Sequence, residues 1–354
     1  MKHILPAKQF VPTFTPMRSG LIIALTLAAV ASAAFAQSRP ASTQLQPSVA
    51  PYDTSALSPG SNGGAAGDIA VLDTDNQRVE IFNSRGNYVS QFGHGFSLPT
   101  GIALDADDIY VKDGNLNCQA DKFDAEGIFL LQFGVCSSGT IGLGIFDNIG
   151  SVAADHSGNV WVTSPDYYYM QKIDASGNFL SIVCMANVLS GCPPATSFSV
   201  QPYGIALDAR GNIYVTNVYP FNGGFNVVKF NGSGVYMATI GSSGSGNGQF
   251  NDPQNVAIDA SGNIYVADSG NNRIEKFGPN GKYLSQFGSF GSGDGQFSYP
   301  VGLAFDSGGN IYVSDVGNNR IQKFDSDGKY LSQFGSYGSG NGQFFAPYGV
   351  VVGK

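Results

Sequence analysis

A unit of 47 residues recurs from Pro253 to Pro300 and again from Pro300 to Pro347, and looser copies of it fill the chain back to about residue 67. Repetition at this period restricts a chain to solenoids, arrays or propellers, because each unit is one supersecondary element that buries its apolar face on its neighbours. Each copy opens on a short apolar stretch ending in Asp: GIALD at 101–105, SVAAD at 151–155, GIALD at 204–208, NVAID at 255–259 and GLAFD at 302–306. A Gly-Asn turn leads to a second stretch rich in β-branched and aromatic residues, such as NIYVAD at 263–268 and NIYVSD at 310–315. Third stretches (RIEKF at 273–277, RIQKF at 320–324) and fourth stretches (YLSQF at 283–287 and 330–334) are joined by turns that end in Gly281 and Gly328. Glycine supplies the positive backbone angle such hairpins need.

Four antiparallel strands per unit describe a propeller blade. The ends of the repeated region give the number of blades. Residues 347–353 form a first strand followed by no second, and residues 67–71 a second strand preceded by no first. Joined, they complete one blade with strands two to four from residues 67–93, and five more begin near 99, 149, 202, 253 and 300. An all-β, six-bladed propeller over 67–354 is the expectation, closed by pairing the C-terminal strand with the N-terminal blade. Closure hides a sheet edge that would otherwise template association.

Ahead of the repeats, Lys2, Lys8 and Arg18 precede the apolar run Leu21 to Val30 and the small-x-small sequence Ala34-Phe35-Ala36. This pattern predicts a signal peptide over 1–36 and a secreted or periplasmic protein. A start at Met17 would give a more conventional signal. The apolar run falls short of the roughly 20 residues a membrane span requires, so no span is expected after cleavage. Residues 37–66, rich in Ser, Pro, Ala and Gly, predict a flexible linker. Removing 1–36 takes three cations and no anion, moving the formal charge from −8 to −11. Nucleic acid is thereby disfavoured as a partner, since phosphate needs a basic face.

The four cysteines, Cys118, Cys136, Cys184 and Cys192, fall in the exported part and lack the paired spacing of a zinc site, so two structural disulfides are expected. Cys118 with Cys136 and Cys184 with Cys192 are the candidate pairs among three possible connectivities.

NIYVADSGNNRIEKF at 263–277 and GSGDGQFSYPVGLAFD at 291–306 resemble NHL repeats, and the resemblance extends over 67–353, as in a secreted bacterial propeller of this family. It implies the six-bladed fold. Family members include peptide-amidating lyases and ubiquitin ligases whose propellers bind RNA or protein, so the fold leaves function open. The ligase reading lacks its zinc-binding clusters here. A histidine-held metal, as in the lyases, is not expected either, because His94 and His156 fall in loops on opposite faces. Related lactonases carry acidic and amide ligands at the channel mouth. The residues entering the first strands here are Thr100, Gly150, Tyr203, Gln254, Val301 and Tyr348, followed by Gly101, Ser151, Gly204, Asn255, Gly302 and Gly349, with no carboxylate among them. Asp73, Asp75, Asp105, Asp107 and Asp108 read as turn caps rather than calcium ligands.

No cofactor or metal is therefore expected. The leading reading is a monomeric, non-enzymatic binding module for a protein, peptide or glycan. Its rival is a lyase- or lactonase-like enzyme with its site at the channel mouth. Candidate ligand contacts are Tyr167, Tyr168, Tyr169, Tyr219 and Phe221 on the irregular blades two to four, together with Arg78, Arg273 and Arg320, which open third strands on the same face. Tyrosine offers large contact area at low entropic cost.

Overall fold

The structure, a computed structural model, describes residues 67–353 apart from 94, 106–107, 114–117, 137–141, 147, 156, 187–195, 197–198 and 219–223. The expected signal segment and linker lie outside the described residues. Among the described residues no helix is long and apolar enough to cross a membrane.

Six four-stranded antiparallel sheets form the six blades. In blade five the strands are Pro253–Ile258, Ile264–Asp268, Arg273–Phe277 and Tyr283–Phe287, and in blade six Pro300–Phe305, Ile311–Asp315, Arg320–Phe324 and Tyr330–Phe334. Proline opens both first strands, a position where its missing N–H interrupts no ladder. Second strands are buried throughout, since they are covered on both faces by neighbouring blades. Fourth strands form the rim, where Leu284 and Leu331 are exposed.

Cohesion comes from the seams between blades. Tyr265, Ala267 and Ile274 of blade five share one apolar cluster with Leu303, Ile311, Val313 and Phe324 of blade six. Each G-S-G-x-G-Q-F crossover adds a pin to such a seam: Phe250, Phe297 and Phe344 are fully buried against Phe277, Phe324 and Phe82. Burying a phenylalanine contributes about 2 kcal/mol, so these pins are major terms in holding the crossovers down. Around the channel the first strands approach closely enough to require glycine. A Cβ on Gly204 would lie 2.5 Å from the Gln254 carbonyl oxygen, and one on Gly302 would lie 2.6 Å from that of Tyr348.

Closure follows the expected pairing. Pro347–Val352 runs antiparallel to Ile69–Asp73, matching Ile69 with Val352 and Val71 with Val350. The crossover before that strand adds a second tie. Phe345 N–H donates to Asp73 and Gly342 N–H to Glu80, while Arg78 donates to the Gly340 and Gln343 carbonyls.

Candidate ligand-binding site

The three arginines stand where expected in the chain but are used inside the ring. Arg273 Nε donates to Asp268 Oδ2 at 2.8 Å, Nη1 to Ser245 O and Gln286 Oε1, and Nη2 to Gly246 O and Gln249 O. Arg78 and Arg320 repeat this fork on Asp73 and Asp315 and on their own crossovers. All three are buried. A guanidinium is suited to the place because its planar fork donates to several acceptors at once. Ligand contact through Arg78, Arg273 and Arg320 is thus corrected to a crossover clamp, and Asp73, expected as a turn cap, is the clamp's anion. Asp108 forms an ion pair with Lys122. Asp155, Asp208, Asp259 and Asp306 do cap their turns, each accepting the N–H four residues on.

Beside two of these clamps lie fully buried glutamates, Glu80 and Glu275, which burial pushes up to about 7. Each directs Oε1 to a crossover N–H, while Oε2 is buried with no hydrogen-bond donor. Blade six has Gln322 at this position, and its Nε2 donates to Gln296 O. The neutral acid is the glutamate form that resembles this amide. The groups facing Glu275 are Arg273, Asp268 and Tyr283, and those facing Glu80 are Arg78, Asp73 and Tyr88. Between pH 4.5 and about 7 the folded chain keeps protons that the unfolded chain has lost, so stability falls as pH rises through that window. Glu80→Gln with Glu275→Gln will remove this component, roughly 1–3 kcal/mol per site. Chemical denaturation at pH 5 and pH 8 checks it, and a variant whose stability changes between the two values as the parent's does would refute it.

The tyrosine triplet divides. Tyr169 is fully buried and occupies the slot that arginine fills in blades one, five and six; its hydroxyl donates to Ile145 O, the counterpart of the Gln249 carbonyl. Ligand contact through Tyr169 is therefore corrected to a neutral version of the clamp. Tyr167 stacks on Tyr169 with ring centroids 5.9 Å apart, and Tyr168 packs on the seam to blade four. Both are partly buried, so part of each ring packs within the protein and part faces solvent. Tyr219, Phe221, His94, His156 and Asp107 lie outside the described residues. Cys118 and Cys184 are buried within one apolar cluster between blades two and three. Among the described residues no group of three or more His, Cys, Asp or Glu side chains could hold a metal.

The structure gathers a different set of side chains at the channel mouth. The first strands surround a cavity of 220 Å³ that is open to solvent, where Thr100, Tyr203, Gln254 and Tyr348 line it together with Ile102 and Leu303 and more polar than apolar surface faces the void. Tyr203 and Tyr348 enter from opposite blades, four and one. Asp252 stands between blades four and five, outside the twelve residues entering the first strands, among which there is no carboxylate, and it adjoins the cavity through Gln254. Its Oδ2 accepts from the Tyr299 hydroxyl at 2.8 Å and its Oδ1 from Gln254 Nε2 at 2.7 Å. Burial, reinforced by neighbouring phenols and Asp252, holds the Tyr203 and Tyr299 hydroxyls far above their ordinary range; burial with Asp75 and Asp252 raises that of Tyr348. All three stay protonated as donors. Opposite Asp252, Lys112 Nζ donates to Thr100 at 3.0 Å, and burial pulls this ammonium down to about 8.

Asp252 and Tyr299 share a backbone position. Both precede the proline that opens a first strand, with φ of 55° and 59°, as Leu98 and Ala346 do at 56° and 57°. The left-handed turn belongs to the crossover in every one of these blades, and only in two does it deliver a polar side chain. Aligning the chain on its prolines would have exposed this pair.

These features define a closed six-bladed β-propeller with tyrosines at one end of its central cavity. The NHL repeat family model matches residues 250–277 and 297–324, within the crossovers and strands of blades five and six. Among solved structures it is similar to a protein of unknown function from Bacteroides caccae, with 15% identity, a TM-score of 0.59, and coverage of 82% of this chain and all of that one. It is also similar to a streptogramin B lyase, with 17% identity, a TM-score of 0.49, and coverage of 69% of this chain and 70% of that one. A virginiamycin B lyase from Staphylococcus aureus gives 15%, 0.47, 67% and 69%. At these identities the likeness concerns fold alone. No curated protein matches the chain.

Proposed function

We propose that this propeller is an extracytoplasmic, non-catalytic binding module that takes its ligand at the channel mouth. The observation that carries this reading is that Tyr203, Tyr348 and Gln254 line one concave cavity at the axis, with Asp252 and Tyr299 bonded in series behind Gln254. A concavity with a few convergent polar groups can select and orient a ligand. This reading puts the ligand at the axis rather than on the rim loops that carry Tyr167 and Tyr168. Ligand at 100 times its Kd stabilises a protein by about 2.7 kcal/mol, which a melting curve resolves. In a thermal-shift screen of glycans, peptides and small metabolites, hits on the parent should be lost in Tyr203→Ala and Tyr348→Ala and kept in Tyr167→Ala. Hits that depend on Tyr167 and ignore the mouth would defeat the reading.

Export and two disulfides, Cys118–Cys136 and Cys184–Cys192, belong to the same proposal. They are supported by the charged-then-apolar N-terminus and by the burial of Cys118 and Cys184. Peptide mapping of protein from culture should find a mature N-terminus at Gln37 and both linkages. Retention of residues 21–36, or other pairings, would count against it.

A further inference from the structure

We propose that Thr100 is a nucleophile of the channel mouth, with Lys112 as its general base, and that it takes up the acyl group of a bound carboxylic ester. This rests on the mouth being a ligand site and goes beyond it, because part of the ligand becomes covalently attached. Two departures from the repeat carry the assignment. Of the six residues that enter the first strands, only Thr100 has an aliphatic hydroxyl. In the second strand of the same blade Lys112 stands opposite Gly101, a position that Thr163, Thr216 and Ser314 fill in blades three, four and six. The two departures meet. Lys112 Nζ lies 3.0 Å from Thr100 Oγ1, and Thr100 lines the cavity while Lys112, 2% exposed, stands behind it.

A purely structural role suits this lysine badly. In the other three blades the hydroxyl accepts the N–H opposite it, of Ser151, Gly204 or Gly302, and donates to a carbonyl of the next blade, of Tyr203, Gln254 or Tyr348. An ammonium accepts nothing, and burying it costs more than burying a hydroxyl. Burial pulls Lys112 down to about 8, against the opposing pull of Asp113 and Asp166. About a tenth of it is then the neutral amine at pH 7, and a base matched to the working pH is the most effective one. In the step, the Lys112 amine takes the Thr100 proton as Oγ1 bonds to the acyl carbon. The ester C–O bond then breaks, and the leaving alkoxide takes that proton from Lys112. Tyr203, kept protonated by burial, lines the same cavity with Gln254 and Tyr348, and these donors can meet the charge that develops on the carbonyl oxygen.

The test is acetylation of the intact chain by p-nitrophenyl acetate, followed by peptide mapping that assigns each acetyl group to a residue. Thr100 should be acetylated, at a rate that rises about tenfold per pH unit below pH 7 and levels off above about pH 8. Lys112→Arg keeps the charge but offers no base, and should slow acetylation of Thr100 by at least about a hundredfold. Should that variant fold poorly, Lys112→Met, which buries no charge, provides the second arm with the same loss expected. Thr100→Ser should remain reactive at the same position. Acetyl groups found only elsewhere, Lys112 Nζ included, overturn the assignment, as does a Thr100 rate that ignores pH or survives both lysine variants. Where Thr100 is inert and ligands of the thermal-shift screen still depend on Tyr203 and Tyr348, the nucleophile falls and the mouth remains a ligand site. If the screen also finds none, both fall.

Discussion

A chain ending at Ala346 will lose the cooperative unfolding of the ring, with a stability loss of about 5–10 kcal/mol. That range follows from the strand removed. Pro347–Val352 buries Val350 and Val352 against blades six and one, roughly 2 kcal/mol each. It also pairs with the whole of Ile69–Asp73, whose burial leaves no water to replace the lost partners. Such a loss is comparable to the total stability of an ordinary domain. The crossover ties through Asp73, Glu80 and Arg78 remain in this chain and should hold blade six near blade one without completing the sheet. Expected observations are a broadened melting transition, and amide exchange that rises first in Ile69–Asp73, the strand that loses its pairing partner on one side. An unchanged, sharp transition would mean that closure lies elsewhere.

The strands, their order and this closure were legible in the sequence because they rest on local rules: apolar and β-branched runs, Gly-Asn turns, and complementary ends. The mouth was not. Tyr203 meets Tyr348 from the opposite side of the ring, and Asp252 meets Tyr299 from the next crossover, separations that no local pattern reports. The residues entering the first strands of blades five and six follow Pro253 and Pro300, whereas the left-handed turn presents Asp252 and Tyr299 before them. The arginines misled for a related reason. Their contexts, Asn76-Gln77-Arg78, Asn271-Asn272-Arg273 and Asn318-Asn319-Arg320, resemble exposed loop tips, and only the folded crossover reveals the carbonyls that surround each guanidinium. The regular blade one contributes Tyr348 to the cavity, and blades five and six contribute Asp252 and Tyr299 beside it, while the irregular blade three uses Tyr169 for structure.

Blade three supplies the comparison that makes the largest single-residue prediction specific. Arg273→Ala will destabilise the protein by about 3–5 kcal/mol, because it leaves Asp268 fully buried without its cation and the Ser245, Gly246 and Gln249 carbonyls without their donor. Arg273→Lys should recover little, since a single ammonium cannot reproduce a fork that spans a carboxylate, an amide and three carbonyls. Blade three solves the same problem without charge: Ser164, Tyr169 and Gln171 stand in the slots of Asp268, Arg273 and Glu275, and Gln171 accepts the Gly144 N–H as Glu275 accepts that of Gly248. Transplanting this set as Asp268→Ser, Arg273→Tyr and Glu275→Gln should therefore restore most of the stability that Arg273→Ala removes. Equilibrium denaturation of the single and triple variants measures the difference directly. A triple variant less stable than Arg273→Ala would show that the neutral set depends on its own crossover, and that the clamp and the loop it holds must be exchanged together.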